Sequence, residues 1–208
     1  EIRFRPLTPS AGHLVGFLLV ALSIFHYYTA GFGLLQEMEH RGIHLSMVLA
    51  LVFLVFPFVK SGYDKPASSS LLRPLGIPVY DWLLAIAAVV AVAHVPLIPL
   101  DDLAFRVGNP TQLDVALGLL LIVLLLEATR RSVGIPLPII SVLFMAYALF
   151  GPYMPSILVH PGTSISQLVN HLYLTPQGVY GIALGVVATY VFHFVLFGVF
   201  ANRIGRGQ

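Results

Sequence analysis

Residues 113–131 read LDVALGLLLIVLLLEATRR, a leucine-rich run that closes on two adjacent arginines. Such a run is soluble in hydrocarbon, and basic residues at its end resist translocation across a bilayer. Working outward, five more apolar stretches appear at 11–35, 43–59, 79–100, 135–154 and 178–201. Threaded from a cytoplasmic N-terminus, the six place Arg3, Arg5, Lys60, Lys65, Arg73, Arg130, Arg131, Arg203 and Arg206 on the inner side. Only Arg41 and Arg106 stay outside. The asymmetry predicts an all-α, polytopic membrane protein with six transmembrane helices and both termini in the cytoplasm.

Composition leads to the same class. The 208 residues are 58% hydrophobic and 10% charged, with mean hydropathy +0.90, too little polar surface to cover a soluble globule. The sequence pI is about 9.0, yet its bases flank apolar runs without forming a patch, which argues against nucleic acid as a partner. With no cysteine, disulfides, thiolate nucleophiles and iron–sulfur ligation are excluded. The first apolar stretch is longer than a signal-peptide core and no small-residue cleavage site follows it, so it is expected to stay in the mature protein.

Local signals refine the spans. The polar knot 36–42 is expected to be an outer loop, and 60–78, rich in Ser, Pro, Lys and Arg, an inner one. Tyr80 and Trp82 suit headgroup level at the start of the third span, and Pro96 and Pro99 should end it about a turn early. Glu127 lies three and four residues before Arg130 and Arg131, which predicts an interfacial ion pair. In the outer connection 156–177, Ile165, Leu168, Val169 and Leu172 recur at helical spacing, the pattern of a helix lying flat in the interface. Gly181, Ala183, Gly185 and Ala188 suit close contact between the sixth span and another helix.

The chemical signals are sparse. His26 and His94 should sit at similar depth, and two facing imidazoles can ligate haem or a transition metal; the competing reading is that each hydrogen-bonds a neighbouring helix. His193 is expected nearer the inner face. His13, His40, His44, His160 and His171 are expected at interfaces, as are Asp81, Asp114 and Glu127, read as anchors in preference to an ion relay. No nucleophile elbow, Ser-Lys geometry or phosphate-cradling glycine loop occurs, so neither an enzyme nor an ATP-driven engine is expected. No catalytic, cofactor-binding or metal-binding residue is assigned.

From Arg130 the run RRSVGIPLPIISVLFMAYALFGPYMPSILVHPG, with LVNHLYLTPQGVYGIALGVVATYVFHFVLFGVFANRIGRGQ from Leu168, resembles the fused permease of tripartite ATP-independent periplasmic (TRAP) transporters. The branch it most resembles is that served by TAXI-type solute-binding proteins. The first 129 residues resemble the family's small module by span number, span length and the YDWLLA run at 80–85. The resemblance implies a Q-type four-helix module over 1–129 and, over 130–208, the first two transmembrane helices of the M-type transport module, truncated. It further implies a bacterial or archaeal inner-membrane permease for organic anion uptake, driven by a cation gradient. Its partners would be a periplasmic solute-binding protein, the remaining M-type module and lipid. The family's ion and substrate sites fall in segments beyond these residues, so none is transferred. This portion is expected to act as a scaffold, with the base-poor segments 36–42, 101–112 and 156–177 as docking surfaces. The rival expectation is a membrane haem or metal bundle using His26 and His94; a third is a small stand-alone helical membrane protein.

Overall fold

A computed structural model describes residues 4–33, 35–59 and 69–205. Arg3, Lys60, Lys65 and Arg206, four of the bases used to orient the chain, lie outside the described residues. Among those described the chain is helical, without a named strand; Ser70 and Arg73 form an isolated bridge. The order is α1 (Pro9–Phe32), α2 (Glu37–Val55), α3 (Val79–His94), α4 (Leu100–Arg106), α5 (Gln112–Ser132), α6 (Pro136–Leu149) and α7 (Ile165–Val169). A π turn (Asn170–Leu174) follows α7, and α8 (Ile182–Val186) joins α9 (Phe192–Gly205) through a second π turn (Val187–Val191). Among the described residues four runs are long and apolar enough to cross a membrane: Pro9–Phe32, Glu37–Val55, Gln112–Ser132 and Ile182–Ile204. Two further apolar helices, α3 with 16 residues and α6 with 14, are shorter.

Helix boundaries follow capping chemistry. Thr8 caps α1, its Oγ1 accepting from Ala11 N at 3.3 Å with Pro9 behind it, where a missing N–H costs nothing. α2 starts at Glu37, so the knot 36–42 is the first turns of a helix instead of a loop. Glu37 and Glu39 lie in that first turn, where the helix dipole favours carboxylates, and Met38, His40 and Gly42 are buried. α3 stops at His94, just before Pro96, and α4 occupies much of the expected outer loop 101–112.

Two apolar clusters hold the bundle. The larger joins Leu45, Leu49 and Phe53 of α2, Ala85, Ala88 and Ala91 of α3, Leu121 and Leu124 of α5, and Val169, Tyr173, Leu174 and Tyr180. Alanines three apart let α2 approach α3 closely, and in lipid such packing replaces the hydrophobic drive. The smaller seats Ala11, Val15 and Leu22 of α1 on Leu51, Leu54 and Ile77. α6 buries no residue.

The segment expected to lie flat in the interface is instead packed into the bundle. Val169, Tyr173 and Leu174 are fully buried, and Gly118 of α5 admits them: a Cβ there would run into Val169 and the Tyr173 ring. The spacing of Ile165, Leu168 and Val169 marks an apolar face without saying whether lipid or protein covers it.

Candidate functional site

Three buried polar clusters tie the helices together. At the end where α2 and α5 finish and α3 begins, Asp81 is fully buried between two arginines. Arg131 Nη1 donates to its Oδ1 at 2.6 Å, and Arg5 pairs with its Oδ2. Glu127 extends the network, accepting from Arg130 Nε and Arg131 Nε at 2.7 Å each. The same arginines close α2: Arg131 Nη1 reaches Phe56 O at 3.3 Å and Arg130 Nη2 reaches Phe58 O at 3.1 Å, serving carbonyls at the exit of that helix. Arg131 also lies over the Phe53 ring at 5.1 Å. The predicted Glu127 pair is therefore formed, but as the edge of a lock that also holds the N-terminal arm.

At the opposite end Asp114 is likewise fully buried and takes four donors. Its Oδ2 accepts from Thr111 N at 2.9 Å and Thr111 Oγ1 at 2.7 Å, half of a capping box on α5. Its Oδ1 accepts from His94 Nε2 at 2.8 Å and Arg106 Nη1 at 3.2 Å, which fixes α3 and α4 to α5. Beside it Tyr173 and Tyr180 donate to Ala91 O at 2.5 Å and Val92 O at 2.7 Å. Burial pushes both phenols up, with the Asp114 carboxylate adding to the shift at Tyr173 and Tyr173 to that at Tyr180. Both stay neutral donors at any ordinary pH.

The third cluster gathers four imidazoles where α1, α2 and α9 meet. His26 Nε2 and His44 Nδ1 are 2.8 Å apart, and the His26 ring lies 5.5 Å from that of His40 and 5.7 Å from that of His193. Phe192 stacks on His26 at 4.2 Å. Next to this cluster Arg41 reaches Tyr180 O at 2.5 Å and pairs with Glu37, its guanidinium filling the space at Gly185.

Several expectations are corrected by these positions. His26 and His94 do not form a pair: His94 serves Asp114, while His26 joins His40, His44 and His193. His40 and His44 are buried between helices at 2% and 4% exposure, because α2 begins a turn and a half earlier than expected and carries both on one inward face. His193 is a member of the cluster and not a remote residue of the inner face. Asp81 and Asp114, in the first turns of α3 and α5, tie neighbouring helices together from fully buried positions. His160 is a loop clamp, its Nε2 bonding Tyr147 O at 2.9 Å and its Nδ1 accepting from Gly162 N at 3.1 Å. The sequence carried one overlooked signal, since His40 and His44 are four apart, the spacing of one helical face. Nothing in it paired Arg5 with Asp81.

Among the described residues no group of three or more His, Asp or Glu is placed to hold a metal ion. Ion pairs, caps and a histidine seam between apolar helices define a polytopic helical membrane protein whose polar interior fastens its helices together. Residues 120–208 match the family model of the tripartite ATP-independent periplasmic transporter, DctM component, a transporter family. The matched segment runs from within α5 through α9. No curated protein and no solved structure matches the chain.

Proposed function

We propose that the chain is the membrane permease portion of a TRAP-type secondary transporter that takes up organic anions on a cation gradient. The match over residues 120–208 carries this reading. In it residues 1–129 form a Q-type scaffold and residues 130–208 begin the M-type transport module, with the seam at Arg130. The Asp81 lock supports a scaffolding role, because Arg131, in the last turn of α5 and within the matched part, is held by Asp81 of α3, the partner of Arg5. The six apolar helices cross the inner membrane of a bacterium or archaeon with the Asp81 end cytoplasmic. A TAXI-type periplasmic binding protein docks on the opposite face, on residues 101–112 and 156–177.

Orientation is tested by single cysteines at Ser69 and Gln177, both exposed. An impermeant thiol reagent added outside intact cells should label Gln177→Cys and spare Ser69→Cys. The reverse pattern overturns the assignment of the docking face.

A further inference from the structure

Charge does not balance in the Asp81 lock. Arg5, Arg130 and Arg131 set three positive charges against two carboxylates, Asp81 and Glu127, which leaves the cluster with a surplus of one. Arg5 and Arg131 are buried at 6% and 2% exposure, so water does little to screen it.

The hydrogen bonds locate the deficit. A guanidinium carries five N–H groups and accepts none. Asp81 spends Oδ1 on Arg131 and Oδ2 on Arg5. Glu127 spends Oε1 on Arg130 and Arg131 and Oε2 on Arg130. Arg5 Nε, Arg5 Nη1 and Arg131 Nη2 are left buried with no acceptor among the described residues. Donors of an ionised group are costly to bury unpaired, and a small anion answers both the orphan donors and the surplus charge.

The surroundings select among anions. The Phe58 ring lies 4.7 Å from the Arg130 guanidinium and 5.4 Å from that of Arg131, and is itself 50% exposed. Phe4, next to Arg5, is 64% exposed and packs on Phe56. Tyr80 and Trp82 stand at the same end, in the first turn of α3. Aromatic rings around an arginine cluster, at the end of apolar helices, mark the headgroup level of a bilayer.

We propose that the Arg5–Arg131 face of the lock binds the phosphodiester of an anionic phospholipid. A phosphodiester carries a single negative charge, which matches the surplus, and its two free oxygens suit the guanidinium fork. Rotation of the half-exposed Phe58 ring admits it to the arginines, while the acyl chains run along the apolar helices past Phe4 and Phe58. The lipid then holds the N-terminal arm to the end of α5. Arg5 gains most, since Asp81 is its one ionic partner among the described residues.

Native mass spectrometry of the full chain from detergent micelles, titrated with phosphatidylglycerol or with phosphatidylcholine of the same acyl chains, reads the site. One phosphatidylglycerol per chain should be held at least about fivefold more tightly than phosphatidylcholine, the factor that one guanidinium confers at a lipid surface. Arg5→Gln should abolish the preference. Glu127→Gln keeps the Arg5–Asp81–Arg131 links and enlarges the surplus charge, so it should strengthen the preference, the opposite of a change that merely loosens the fold. Thermal unfolding with phosphatidylglycerol or with inorganic phosphate separates the two sources of the group: the lipid should raise the melting temperature and the free anion should not. No preference between the lipids, a preference unchanged in either variant, or stabilisation by inorganic phosphate that matches the lipid's overturns the proposal.

Discussion

Tyr180 completes what Pro96 leaves open. Pro96 has no N–H for Val92 O, four residues earlier in α3, and the Tyr180 hydroxyl donates to that carbonyl at 2.7 Å. A helix that ends early at a proline is thereby closed by a side chain from the connection before α8. The relation ties α3 to the part of the chain that matches the transporter family.

Tyr180→Phe should leave Val92 O buried without a donor and lower stability by about 1–3 kcal/mol. Thermal unfolding in detergent measures the loss. In a Pro96→Ala background, where residue 96 regains an N–H, the same change should cost clearly less, and the double-mutant cycle reads the coupling. Equal losses in both backgrounds would disconnect the two residues.

Asp81→Asn should be the most damaging single polar change, since it leaves Arg5 and Arg131 buried without their counter-charge. Breaking a buried pair in this way costs about 3–5 kcal/mol. Size-exclusion after a temperature ramp reports it. Retention of wild-type stability would show that the lock is not needed.

Gly185→Leu should drive the Arg41 guanidinium out, since even a Cβ at 185 would stand 2.6 Å from Arg41 Nη2. Stability falls, and the penalty shrinks in Arg41→Ala, where the space is free. An undiminished penalty would place the clash elsewhere.

Alkaline titration should expose the two buried phenols. Their acid forms are favoured in the fold, so an unfolded chain ionises them first, near the ordinary tyrosine value of about 10. Their contribution is fully present below that pH and is lost as pH rises beyond it. Tyr180→Phe should make the decline shallower by up to about 1.4 kcal/mol per pH unit. An unchanged slope in denaturant melts between pH 10 and 11 would contradict the burial of this group.

The legible part of the structure was written in hydrophobic runs. Residues 11–32, 43–55 and 113–128 could be read as helices because hydrocarbon tolerates no other short spanning structure. Pro96 announced the end of α3 for an equally local reason. The knot around Glu37 was harder, since its polarity argued for a loop while its carboxylates sit at a helix N-terminus. The Arg5–Asp81–Arg131 lock and the imidazole cluster were out of reach, because they join residues as far apart as 26 and 193. Sequence spacing on one helix constrains neighbours three and four apart, and says nothing of which helices will meet.

Solute uptake tests the central claim most directly. Proteoliposomes holding the protein are mixed with a periplasmic solute-binding protein of the proposed type and a labelled organic anion, with and without an inward cation gradient. The account predicts accumulation that needs both the gradient and the binding protein, reduced by Asp81→Asn. Uptake indifferent to both, or none with any anion that the binding protein retains, would contradict it.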